Sequence, residues 1–187
     1  LRFETSEAGR AVVMRKEGIR LLLYGEFGLC ATLYLWFRRY LKSVSVRTPD
    51  GGETLIGSDV VHPIGFRRED AMLPWPRLAQ EGYRYQQEMF TLPFKFLFLD
   101  VTNLDRATIE EEHFEIAFTF ERPPELRQRI TPENFRLFCT PAINLFPRRA
   151  DRIHLNENDF EYHVLPDRTR PMDFEVHSVE EIVGFGS

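Results

Sequence analysis

Cys139, followed at a distance by His154, His163 and Asp167, supplies the residue types of a thiol hydrolase. In such an enzyme a histidine takes the thiol proton and a carboxylate holds the histidine in place. No glycine-rich turn flanks Cys139, and "FRLFCTPAINLFPRRADRI", Phe135 to Ile153, reads instead as an apolar helix end with a buried cysteine. His154, His163 and His177 would be the ligands of a metal site. Their spacing gives no local bite of the HxH or HExxH kind, so partly exposed strand histidines are the favoured reading. "EEEH", Glu110 to His113, offers paired carboxylates for acid–base work, but a charge run ahead of a strand reads better as a solvated loop. "TPDGGETLIG" has the glycines of a phosphate loop without its lysine or helix start, and is read as a turn.

The densest polar constellation is arginine with aspartate. "PRRADR" and "PDRTRP" bring Arg148, Arg149, Asp151, Arg152, Asp167, Arg168 and Arg170 into two short runs. Single-stranded nucleic acid would want a positive groove interleaved with exposed aromatics. Arginines mixed with carboxylates make bidentate pairs, inside a chain or across an interface. These seven residues are therefore expected to form either an interface or a structural brace. Neither reading calls for a catalytic residue, a cofactor or a metal.

The elements that position these residues can be read from periodicity. "GIRLLLYGEF" begins with a short apolar run, Ile19 to Tyr24, which predicts a buried strand. In "EFGLCATLYLWFRRYLK" the apolar positions Leu29, Leu33, Trp36, Phe37 and Tyr40 predict a helix, with cations at its C-terminal end. "SVSVRTPDGGE" predicts a strand and a turn, and "TLIGSDVVHPIGF" a return to extended chain. A helix is expected between Gly82 and Phe90, bounded by prolines. "FKFLFLDVTNL" predicts a central strand. "HFEIAFTFER" predicts a half-covered strand with Phe114, Ile116, Phe118 and Phe120 facing in. Helical turns are expected after Pro123-Pro124 and from Thr131. Strands are expected in "RIHL", "EYHVL" and "DFEVHSV". Phe135, Leu137, Phe138, Ile143 and Phe146 are expected to anchor their segment in the core. Without regular alternation of strand and helix, the fold class is α+β: an antiparallel-rich β-sheet or sandwich with several packed helices. Residues 1–187 read as a single region, with a seam allowed near 90–106.

Composition narrows the function classes. The 187 residues are 43% hydrophobic, include 17 phenylalanines and carry a formal charge of −5. Lysine occurs only at positions 16, 42 and 95, so the positive charge is nearly all arginine, a residue enriched at interfaces where lysine is depleted. The acidic balance argues against a general nucleic-acid binder. Cys30 and Cys139 lie far apart in apolar surroundings, as reduced buried thiols of a cytosolic protein would. No apolar run is long enough for a membrane-spanning helix. The chain has no initiating Met and no signal peptide, and opens inside an ordered-looking segment, as a piece of a longer protein would.

One family matches these motifs in order. "GIRLLLYGE" with the aromatic-rich helix after it, "HPIGFRREDAMLPWP", "GYRYQQEMFTLPFKFLFLDVTNLD", "FEIAFTFER", "FCTPAINLFPRRAD" and "VLPDRTRP" resemble the TssF family (also VasA or ImpG) of type VI secretion baseplate proteins. The resemblance runs from about Ile19 to Gly184, and the family's chains are several times longer. It implies a structural subunit of the baseplate wedge, similar to wedge proteins of contractile phage tails. It implies assembly with TssG, TssK, TssE and a second TssF copy, near the VgrG spike, on the cytoplasmic face of the inner-membrane complex. It implies no enzyme activity and no cofactor.

Overall fold

The computed structural model describes residues 1–9, 18–75, 80–126, 128–156 and 158–185. The chain divides into two compact units, Leu1–Ala142 and Ile143–Ser187. Residues 90–106, where a seam was allowed, run through the first unit.

The first unit is built on two antiparallel four-stranded sheets. One has the order β1 (Arg2–Glu4), β7 (His113–Phe120), β3 (Leu41–Arg47), β4 (Glu53–Gly57). The other has the order β5 (Val61–Pro63), β6 (Phe98–Val101), β2 (Ile19–Leu23), β8 (Phe135–Arg136). Helix α1 spans Phe27–Arg39 and α2 spans Glu81–Thr91, giving the α+β class read from the pattern.

Local chemistry explains these boundaries. The Glu26 carboxylate accepts from the amides of Gly28 and Leu29 at 2.8 and 2.9 Å, satisfying donors that a helix start leaves free. Those two bonds hold its carboxyl below the usual range. Arg38 and Arg39 occupy the last turn of α1, where the helix dipole favours cations. Leu29, Cys30, Leu33, Trp36 and Phe37 form its buried face. In β7, Phe114 and Ile116 are buried, Phe118 and Phe120 pack against the core at half burial, and Glu115 and Thr119 face solvent.

The core is continuous across both sheets, joining Leu21, Leu23, Leu99 and Val101 to Val44, Val46, Phe114 and Ile116. Phe37 is its aromatic hinge-pin. Its ring meets Phe118 at 5.0 Å and Phe120 at 5.4 Å on one sheet, and Phe135 at 6.3 Å on the other, all edge-on. Such edge-to-face contacts add to the area each ring buries.

Three expectations are corrected. After Pro123-Pro124 no α-helix forms among the described residues; the start at Thr131 yields one 3-10 turn, Pro132–Asn134, leading into β8. Asn134 explains why. Its Oδ1 accepts from the Thr131 amide at 2.8 Å and its Nδ2 donates to the Tyr24 carbonyl at 2.9 Å, while its carbonyl accepts from the Tyr24 amide at 2.9 Å. Asn134 is thereby tied to the end of β2, and Phe135 and Arg136 are drawn into the sheet beside Leu23 and Leu22. A Cβ on neighbouring Gly25, at φ +137, would come within 2.9 Å of Asn134 Nδ2, so this junction also requires a glycine.

Second, only Phe135 and Leu137 of the proposed anchors pack on the core. Ile143 is half-buried, Phe146 is 57% exposed, and Phe138 is fully exposed. Phe138 stands at φ +56, a left-handed conformation rare for a bulky residue, and this reversal turns its ring outward. Third, "RIHL", "EYHVL" and "DFEVHSV" form no strand among the described residues. A strand is defined by its ladder, and these segments pair with no segment among the described residues.

Replacing Asn134 with Ala orphans the Thr131 amide and the Tyr24 carbonyl. The expected cost is about 1–3 kcal/mol of unfolding free energy, read as a lower urea midpoint with unchanged slope.

Candidate functional site

The two arginine runs of the sequence come together in the second unit. Arg148 Nη2 donates to Asp167 Oδ2 at 2.8 Å, and Arg148 Nε donates to the Pro166 carbonyl at 3.3 Å. Across from it, Asp151 Oδ2 accepts from the Arg168 amide at 2.7 Å, and Arg168 Nη2 donates to the Arg152 carbonyl at 2.6 Å. The Asp151 amide donates to the Leu165 carbonyl at 2.9 Å. Each run thus contributes one arginine side chain and one aspartate side chain to a reciprocal clamp closing the loop between them.

Aromatic rings finish the clamp. The Arg148 guanidinium lies over Phe174 at 4.2 Å, and Phe146 meets Phe174 edge-on at 6.2 Å. Arg152 lies over Phe185 at 5.1 Å. A planar guanidinium stacks on a ring while its edge donates in the ring-parallel plane, a geometry lysine cannot offer. Asp167 is held below the usual carboxylate range by the Thr169 hydroxyl and amide, at 2.6 and 2.9 Å, and then by the Arg148 charge. Arg149 and Arg170 are exposed, and their side chains make no hydrogen bond or ion pair among the described residues. Five of the seven predicted residues therefore hold the loop, and two face outward.

Of the other candidates, Cys139 belongs to the first unit, and His154, His163, His177 and Asp167 belong to the second. Cys139 is half-exposed instead of buried, is not on a helix, and its thiol donates to the Leu137 carbonyl at 3.4 Å. No group of three metal-ligating side chains occurs among the described residues. Glu110, Glu111 and Glu112 are exposed loop residues. "TPDGG" is the β3–β4 turn, closed by the Thr48 amide on the Gly52 carbonyl at 3.0 Å.

A buried charge cluster in the first unit escaped the sequence reading. Glu88 on α2 is 0% exposed, Arg84 one turn earlier is 1%, and Lys95 is 3%. Glu88 Oε1 accepts from the amides of Met72 and Leu73 at 2.7 and 3.2 Å. Its Oε2 accepts from Lys95 Nζ and lies 3.5 Å from Arg84 Nη1. Arg84 Nη2 donates to the Phe66 carbonyl at 3.4 Å, and the Tyr85 hydroxyl donates to the same oxygen at 2.6 Å. Burial pushes the Glu88 carboxyl up, but the bonds from Lys95, Met72 and Leu73 outweigh it and the carboxyl is held below its ordinary value. Two cations share one carboxylate, and rings take up part of the excess: Arg84 lies over Tyr85 at 4.5 Å and Lys95 over Phe96 at 5.3 Å. The signal was present: Arg84 and Glu88 are spaced i, i+4, and Lys95 is a lysine set alone in the apolar run "LPFKFLF".

Two outcomes are expected. Glu88→Ala leaves two buried cations without their carboxylate and should cost about 3–5 kcal/mol. Replacing all three with apolar residues (Arg84→Met, Glu88→Leu, Lys95→Met) should recover most of that loss in urea titrations. Because the folded carboxyl is depressed, the Glu88 contribution is present above its unfolded value and is lost as pH falls through the folded one. For the clamp, Asp167→Asn should speed tryptic cleavage after Arg152 and Arg168 and leave the urea midpoint of the first unit unchanged. The clamp should also loosen in the wild type as pH falls through the depressed Asp167 carboxyl value, read from the chemical shift of the Thr169 amide that it holds.

Comparison with known proteins identifies the family. The family model described as "Type VI secretion system, TssF" matches residues 1–187. The chain is 46% identical over 150 residues to the type VI secretion system component TssF1 of Pseudomonas aeruginosa, covering 78% of this chain and 24% of that protein. It therefore spans about a quarter of the length of this curated relative. A chain of the TssK-TssF-TssG baseplate subcomplex solved by cryo-electron microscopy superposes with a TM-score of 0.67 at 28% identity, over 82% of this chain and 29% of that one. With its whole length matched and nearly half its residues identical across the aligned stretch, this chain belongs to the TssF family of the type VI secretion system.

Proposed function

We propose that this chain is part of a structural subunit of the type VI secretion baseplate wedge and acts through protein contacts during contractile effector delivery. The observation that carries this reading is the family match over all 187 residues, joined to the likeness to a chain of the TssK-TssF-TssG subcomplex. In this reading the partners are TssG and TssK, with TssE, a second TssF copy and the VgrG spike nearby. The assembly stands on the cytoplasmic side, docked at the inner-membrane complex; no described helix is long and apolar enough to cross a membrane.

The physical design suits such a role. A wedge has to keep its shape under load, and the continuous two-sheet core supplies that. It also has to meet neighbours in one register, and outward charges set register at small cost in stability. Of the seven arginines and aspartates in the two runs, Arg149 and Arg170 are the ones free for that task among the described residues, while Arg148, Asp151, Asp167 and Arg168 hold the loop that carries them. The reading assigns no catalytic step and no cofactor.

Co-expression with TssG and TssK, followed by affinity capture and mass measurement, tests it. Arg149→Glu with Arg170→Glu is expected to weaken capture at least about tenfold, as like charges placed at an interface do, with tryptic resistance of the clamp unchanged. Arg148→Glu should open the clamp first and weaken capture as a consequence. Full capture by the Arg149/Arg170 variant assigns the contact to another face, and no capture by the wild type overturns the partner reading.

A further inference from the structure

The second unit combines strand-like sequence with an unpaired backbone. Phe160, Tyr162 and Val164 alternate with Glu161 and His163, and Phe174 and Val176 alternate with Glu175 and His177. This period of two belongs to a strand with one covered face. Yet the amides of residues 160–164 and 174–179 donate no hydrogen bond among the described residues. Phe160 is 97% exposed, Val179 52% and Val176 45%. An apolar surface of this extent on an extended chain marks a covered face in the native protein. The arginine–aspartate clamp fixes where the two segments begin, since Arg148 and Asp167 bracket the first and Phe174, in the second, carries the Arg148 guanidinium.

We infer that residues 160–164 and 174–179 are strands of a sheet completed within the same polypeptide, by TssF sequence lying outside these 187 residues. The occupant is argued from length. The segments lie inside the family match, so they are family sequence and not an appended tail. The chain covers only 24% of TssF1 and 29% of the chain in the solved subcomplex, so most of a TssF-length polypeptide is available to pair with them. A partner in the same polypeptide acts at the high effective concentration that tethering provides. The inference rests on family membership and not on the partners proposed above.

Hydrogen–deuterium exchange tests it on two proteins: the 187-residue chain, and a full-length TssF chain carrying the same residues. In the short chain, amides 160–164 and 174–179 should exchange at near-unfolded rates, while those of β6 and β7 are protected. In the long chain the same amides should slow by at least about 100-fold, the protection expected of ladder bonds, equally at protein concentrations tenfold apart. Val176→Asp should return 174–179 of the long chain to the fast rate and leave the urea midpoint of the short chain unchanged. Equal fast exchange in both proteins overturns the inference. Protection that rises with concentration, which indicates a second copy, overturns it, as does protection gained only on adding TssG and TssK. Failure to capture TssG or TssK would leave the exchange result standing.

Discussion

A single buried carboxylate organises the first unit. Glu88 receives the amides of Met72 and Leu73 from one side and Lys95 from the other, so it ties the irregular stretch after β5 to α2 and to the 3-10 turn after α2. That turn runs directly into β6, which pairs with both β5 and β2 and so occupies the middle of its sheet. The carboxylate therefore sets the angle at which the chain enters a central strand. Its desolvation is offset because three donors and the nearby Arg84 guanidinium converge on its two oxygens, and the arrangement tolerates few alternatives. A hydrophobic contact could stabilise the same region but would not specify one register for the loop, helix and strand together.

The consequence reaches α1 and the other sheet through packing. β2 lies beside β6, and its buried leucines meet the face of α1 that ends in Phe37. Phe37 then carries the contact to Phe118 and Phe120 on β7. The order from Glu88 to β6, β2, α1 and β7 is a chain of physical dependence, with electrostatics at its start and ring packing at its end.

How much of this was legible in the sequence depended on whether local pattern and final environment agreed. The β2 run, the α1 face and the alternation of β7 state their own burial, so their elements and inward residues follow from spacing alone. The segment after Pro123 does not. Thr131-Pro132 has the form of a helix start, but Asn134 is spent on Tyr24 some 110 positions away, and a local rule has no access to that partner. "EYHVL" and "DFEVHSV" carry strand periodicity without a strand, because pairing is a property of two segments and pattern belongs to one. The arginine–aspartate runs were visible as a set, since composition alone marks them. Their division into residues that close the loop and residues that face outward required geometry. The Glu88 cluster was hidden by the opposite fault: in sequence, Arg84, Glu88 and Lys95 look like an ordinary solvated helix face and a stray cation.

Cys139, the residue with the most chemistry in the linear sequence, has a different kind of value in the folded one. Cys30 is sealed in the core, and burial with the nearby Glu26 charge pushes its thiol up, so it resists alkylation. Cys139 is half-exposed and stands three positions before the boundary between the two units at Ala142. Among the described residues the molecule therefore offers one accessible thiol. A spin label or fluorophore placed there without mutagenesis would mark one defined position in the chain, next to the point where it passes from the first unit into the second.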